Sequence, residues 1–133
     1  MDDILVPTSP GELIDKLTIL RLKEERIDDP AKLANVRRER AVLQATADTH
    51  LPDTPDLASL SQELYRINAE LWQIEDDIRD CEARKDFGKA FIRLARAVYL
   101  TNDRRAAVKK RINLALGSAL VEEKSYTDHG VRR

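Results

Sequence analysis

The stretch LASLSQELYRINAELWQIEDDIRDC, residues 57–81, places Leu57, Leu60, Leu64, Ile67, Leu71, Ile74, Ile78 and Cys81 at alternating steps of three and four. That spacing puts every one of them on a single helical face, as in a heptad seam. A long helix three is expected. Asp86 is placed to cap a helix four with no proline and no interior Gly between Gly88 and Gly117, the latter a natural stop just past a helix end. Its stripe is Phe87, Phe91, Leu94, Val98, Ile112 and Leu116. Helices three and four should form a hairpin with arms of roughly 42 Å at 1.5 Å per residue.

Upstream, Ser9-Pro10-Gly11-Glu12 combines a Ser N-cap, a proline at the first helical position and a Glu placed to close a capping box. Helix one then runs to about Ile27 along Leu13, Ile14, Leu17 and Leu20, with Ile4-Leu5-Val6 expected to dock as an extended arm. Asp29-Pro30 repeats the signal and opens helix two, which buries Leu33, Val36 and Leu43 and ends near Ala47. Pro52, Pro55 and the three aspartates Asp48, Asp53 and Asp56 supply the turn chemistry to end helix two and cap helix three. The expected fold is all-α, one domain, an antiparallel helical bundle of two hairpins: a short hairpin over 9–47, a Pro-rich loop over 48–56, a long coiled-coil-like hairpin over 57–117 and a tail over 118–133. The short hairpin, at roughly 27 Å, can cover only part of the long one. An uncovered seam points to a partner helix, most economically from a second copy, so a homodimer is expected.

The chain has 133 residues, 42% hydrophobic, 35% charged and 5% aromatic, with 23 Lys and Arg against 24 Asp and Glu. One core of this size needs no disulfide or metal staple. No apolar run reaches the roughly 18 residues of a membrane span, and Asp2-Asp3 stands where a signal peptide carries basic residues, so a cytoplasmic location is expected. Cys81 is the last knob of the seam and reads as a buried hydrophobe. His50 and His129 stand apart from any nucleophile or second ligand. No cofactor is expected.

Asn102, Arg105, Lys109 and Asn113 interrupt the apolar stripe of helix four on one face. With the turn centred near Lys85 and Asp86, residue x of helix three lies across from about 171 minus x, pairing Asn68 with Asn102, Trp72 with Tyr99 and Glu75 with Arg96. Glu75 is also one turn before Arg79 and able to pair with it. Two readings follow: a satisfied buried network that fixes helix register, or a ligand site. In the second, Asn68, Trp72, Arg79, Asn102 and Arg105 are the candidate ligand-binding residues. Glu75, Asp76 and Asp103 are candidate Mg²⁺ ligands for a phosphorylated small molecule, a nucleotide or sugar nucleotide. The acidic block Glu75, Asp76, Asp77, Asp80 and Glu82 is expected to be matched across the hairpin by Lys89, Arg93 and Arg96. The basic block Arg104, Arg105, Lys109, Lys110 and Arg111 finds only Glu63 opposite; acids of the first hairpin, a second subunit or a bound anion must answer it. The basic side chains point all round the helix and the net charge is −1, which argues against nucleic acid as a partner.

The motifs SPGELIDK (9–16), DPAKLANV (29–36), LWQIEDDIR (71–79), NDRR (102–105) and EEKSY (122–126) together resemble the signature of a small all-helical bacterial family known only as a domain of unknown function. That resemblance covers nearly the whole chain and implies no activity. The Asn68, Trp72, Glu75-Asp76, Arg79 spacing followed by Asn102-Asp103 is similar to a second helical family associated with surface-polysaccharide gene clusters, which implies a nucleotide-sugar or phosphosugar ligand without a mechanism. Metal-dependent nucleoside triphosphate pyrophosphohydrolases pair an E-x-x-E helix with an E-x-x-D helix; Glu12-x-x-Asp15 fits only the second half. The expected function is therefore a non-catalytic helical interaction or accessory protein that self-associates, with links to surface-polysaccharide assembly. The alternative is a Mg-dependent enzyme or binding module for the phosphorylated small molecule.

Overall fold

The structure is a computed structural model that describes residues 1–127. Four helices, and no strand among the described residues, pack as a bundle: α1 (Pro10–Arg26), α2 (Pro30–His50), α3 (Pro55–Ala83) and α4 (Lys89–Ala115). Three of them begin the same way. Ser9, Asp29 and Thr54 each precede a proline, and each side chain accepts from the N–H three residues on, of Glu12, Lys32 and Leu57. Proline forces the residue before it into extended backbone, the conformation an N-cap requires, and all three caps have ψ between 120° and 157°. The cap and the proline act together on one residue.

The same rule corrects two expected boundaries. Helix α2 continues past Ala47 to His50, because the first residue barred from helical backbone is Leu51, which precedes Pro52 and has ψ 139°. Thr54, not an aspartate, caps α3, so the loop shrinks to 51–54. At the hairpin turn, the Lys85 and Asp86 N–H groups donate to the Glu82 and Cys81 carbonyls, with Lys85 at φ 56°. This is the Schellman closure in which one residue turns left-handed. Asp86 does not cap α4; its Oδ1 accepts from the Gly88 N–H, and Gly88 is the N-cap. The longer turn moves the register. Arg104 reaches Glu70 and Arg111 reaches Glu63, so opposite residues index to about 174, nearly one helical turn from the expected 171. Gly117, at φ 64°, closes α4 with a second Schellman motif.

Helix α1 is the hub, packing on α2, α3 and α4, while α2 touches only α1. The α3 stripe lies in the core: Leu57, Leu60, Leu64 and Ile67 join Ile14 of α1 and Val108 and Ile112 of α4 in one cluster. Cys81 is 2% exposed, as its seam position requires. The Ile4-Leu5-Val6 arm does not dock; all three residues are exposed. His50 is exposed at the end of α2, and His129 lies outside the described residues.

Gly11 sets how closely α1 approaches α4. A β-carbon there would lie 2.5 Å from the backbone oxygen of Lys109, inside any tolerated contact, and backbone cannot swing aside. Its N–H donates to Asn113 Oδ1 at 2.7 Å, satisfying an otherwise orphaned helix-start donor. Gly11→Ala should therefore destabilise by about 2 kcal/mol although alanine is the better helix former; urea denaturation of the purified variant checks it.

Candidate functional site

Where α1 crosses α3 and α4, one carboxylate is almost wholly removed from water. Asp15 is 1% exposed. Its Oδ1 accepts from Arg105 Nε at 2.9 Å and its Oδ2 from Arg105 Nη2 at 2.5 Å, the bidentate pairing that matches guanidinium to carboxylate. Asn68 Nδ2 donates to Asp15 Oδ1 and to Thr18 Oγ1, both at 2.9 Å. Lys109 Nζ lies 3.9 Å from Asp15, 2.7 Å from Glu12 and 3.1 Å from Glu122. Among the described residues, no buried side-chain nitrogen or oxygen lacks a partner. A desolvated carboxylate is tolerable only when paired and hydrogen-bonded in this way.

Both cations respond to this setting. Hydrogen bonding to Asp15 raises the Arg105 pKa against the opposing effect of burial. For Lys109, burial alone would favour the neutral amine, but the hydrogen bonds its ammonium donates to Glu12 and Glu122 and the charge of Asp15 outweigh it, and its pKa is raised above the usual lysine value. Away from this centre, the Tyr65 hydroxyl donates to Glu25 at 2.7 Å, which raises the phenol's pKa, and Arg21 lies 4.0 Å over the Tyr65 ring. Arg26 lies 5.6 Å over the Trp72 ring. Both contacts fasten the second half of α1 to α3.

The sequence-predicted ligand residues come together. Asn68, Trp72, Arg79, Asn102 and Arg105 line one groove of about 440 Å³ with Glu75, Asp76 and with Ile19 and Leu22 of α1. Four of the five are already hydrogen-bonded: Asn68 and Arg105 with Asp15, Asn102 accepting from Arg105 at 3.5 Å, and Arg79 with Glu75 at 3.3 Å. Asp103 lies elsewhere, paired with Lys124 at 3.1 Å, so the three candidate Mg²⁺ ligands do not converge. No group of three or more His, Cys, Asp or Glu able to hold a metal ion occurs among the described residues.

Of the two charge blocks, the basic one meets Glu63 and acids of the first hairpin, among the answers expected for it, and the acidic one departs from expectation. The basic block is answered throughout: Arg104 by Glu70, Arg105 by Asp15, Lys109 by Glu12 and Glu122, Lys110 by Glu123 and Arg111 by Glu63. The acidic block is not matched across the hairpin. Glu75 pairs with Arg79 and Glu82 with Lys85 on its own side of the turn, and no described ion pair joins it to Lys89, Arg93 or Arg96. The one-turn change of register separates these rows. The central acids, Glu12 and Asp15, were visible as an i, i+3 pair. What sequence reading lacked was that α1 lays them across Arg105 and Lys109.

A family model matches residues 4–130. The chain belongs to the family of unknown function DUF6165. No curated protein and no solved structure matches it. In this DUF6165 chain, no helix of the described residues is long and apolar enough to cross a membrane.

Removing one partner of a buried pair leaves the other charge uncompensated. Asp15→Asn should cost about 3 kcal/mol, whereas Arg104→Ala, which breaks an exposed pair, should stay within about 0.5 kcal/mol; urea unfolding curves compare them. A cation whose pKa is raised by folding stabilises fully below its unfolded value and loses that contribution as pH rises through the folded one. Stability should thus fall above about pH 10.5 as Lys109 deprotonates, with Tyr65 acting in the same direction. Lys109→Met should remove part of that alkaline loss in denaturation followed from about pH 9 to about pH 12.

Proposed function

We propose that this chain is a non-catalytic helical interaction protein that self-associates through the turn end of its long hairpin. The observation that carries this reading is one outward stripe of α4, where Lys89, Ile92, Arg93, Arg96, Ala97 and Leu100 line a shallow groove of about 410 Å³. Ile92 is 56% exposed. Helix α1 ends at Arg26, over Trp72, and α2 packs only on α1, so the hairpin beyond that point packs on itself. Phe87 and Phe91 stack edge to face at 5.3 Å across its tip, with Phe87 half exposed.

A second copy is the occupant that fits. The same end of the hairpin carries a cationic row, Lys89, Arg93 and Arg96, and an acidic row, Asp76, Asp77 and Asp80, with no described ion pair between the rows. A two-fold axis brings each row against its opposite on the partner, around the shared Ile92 and Leu100 strip. One surface is then complementary to itself. Sedimentation equilibrium tests this: the wild type should dimerise at micromolar concentration, and Arg93→Glu with Arg96→Glu should weaken dimerisation by at least about tenfold. Adding Asp77→Lys and Asp80→Lys to that variant should restore it. A wild type that stays monomeric at about 1 mM overturns the reading.

A second reading has its own support, the convergence of Asn68, Trp72, Glu75, Asp76, Arg79, Asn102 and Arg105 on one groove. A phosphorylated small molecule held there would stack on Trp72 and draw Arg79 away from Glu75. Nucleotides or sugar nucleotides, with and without Mg²⁺, should then raise the melting temperature, since a ligand at 100 times its Kd adds about 2.7 kcal/mol.

A further inference from the structure

A third concavity belongs to neither surface. It lies between α4 and the tail that follows it, encloses about 680 Å³, and is lined by Val98, Tyr99, Arg105, Ala106 and Lys109 on the helix and by Glu122 and Tyr126 on the tail. Volumes of this order, apolar with a few placed polar groups, are those of small-molecule sites. Val98 and Ala106 give it an apolar floor, and Tyr99 and Tyr126 stand on its two sides. Its charged end is the rim of the Asp15 network.

The carboxylates at that end differ in how they are held. Glu12 and Asp15 are fixed on α1, and both serve Lys109 from within the fold. Glu122 reaches the same ammonium, at 3.1 Å, from the tail, and its side chain is 58% exposed. Two further ion pairs hold the tail, Lys110 with Glu123 and Lys124 with Asp103, at 3.2 and 3.1 Å, both at the surface. Surface ion pairs of this kind contribute little stability and exchange readily with solvent and ions. Glu122 is thus the one member of the Lys109 set that can leave without opening the core. An incoming anion that takes its place leaves the charge balance around Arg105 and Lys109 as it was.

We propose that this cleft binds a small aromatic acid, a planar ring bearing a carboxylate, sulfonate or phosphate, and that Glu122 occupies the position of the ligand's anionic group until the ligand displaces it. The ring lies over Val98 and Ala106 between the two tyrosines, where aromatic faces and edges supply preferred contacts. The anion meets Lys109, whose charge is secured by its pairing with Glu12. The tail then has two states, one held by its own carboxylates and one folded over the ligand.

The probe is 1-anilinonaphthalene-8-sulfonate, followed by fluorescence titration and by chemical shifts of the ¹⁵N-labelled full chain. Saturable binding should shift amides of residues 98–109 and 122–127, the two walls of the cleft. Glu122→Gln with Glu123→Gln removes the competing carboxylates and should tighten binding by about three- to tenfold. Tyr126→Ala, which removes one aromatic wall, should weaken it by about tenfold. The uncharged N-phenyl-1-naphthylamine should bind more weakly and ignore the Glu122 and Glu123 changes. Val42→Asp, on the exposed side of α2 away from the cleft, should leave the titration unchanged. No saturable binding, unaltered affinity in the Glu122 and Glu123 variant, or shifts centred on the exposed Ile4-Leu5-Val6 arm would each overturn the proposal.

Discussion

The fold depends on how a single carboxylate is kept out of water. Asp15 is nearly inaccessible, and a charge in that position is sustained only while Arg105, Asn68 and Lys109 remain around it. Those partners come from α3 and α4. Helix α1 therefore cannot seat without the hairpin, and the middle of the hairpin would present Asn68 and Arg105 to an apolar neighbour without α1. Leucines and isoleucines supply the area of the core, but hydrophobic contact alone permits several sliding arrangements of aliphatic helices. The polar centre admits one, as a single polar seam residue does in paired helices.

From this centre the molecule divides into two regions of different character. Around Asp15, polar groups are shielded, mutually bonded and drawn from three helices. Toward the hairpin tip, α3 and α4 lose the cover of α1, and their acids and bases face water with Ile92 and Phe87 between them. The first region holds the chain together. The second has the properties of a contact surface, and the tail cleft lies where the inner network reaches the exterior.

Much of the architecture was legible because its signals are local. The aliphatic stripe from Leu57 to Cys81 and the cap-plus-proline pairs at Ser9 and Asp29 need nothing beyond their own neighbours to act; the same pairing at Thr54-Pro55 was missed among the loop's aspartates. The candidate groove was legible to the extent that Asn68, Trp72, Arg79, Asn102 and Arg105 lie on facing positions of one hairpin. The pairing of charges was not, because it turns on quantities that sequence spacing does not carry. The hairpin turn runs through Gly88, not Asp86, and that change moves each α4 side chain by nearly a turn relative to α3. The decisive acids for Arg105 and Lys109 come from α1, about ninety residues away in sequence, where an i, i+3 carboxylate pair looks like any solvated helix start. Ile4-Leu5-Val6 shows the reverse limit: apolar composition alone does not provide a surface to dock on.

Gly11 gives the assembly its indexing. Because the backbone of α4 occupies the volume a side chain would need, only the one position of α1 without a β-carbon can lie over Lys109. Helix α1 fits its seat like a keyed shaft, in one axial position and one rotation. The carboxylates one and four residues further along are delivered to Lys109 and Arg105 by that fit, so the electrostatic centre inherits its precision from an absent methyl group.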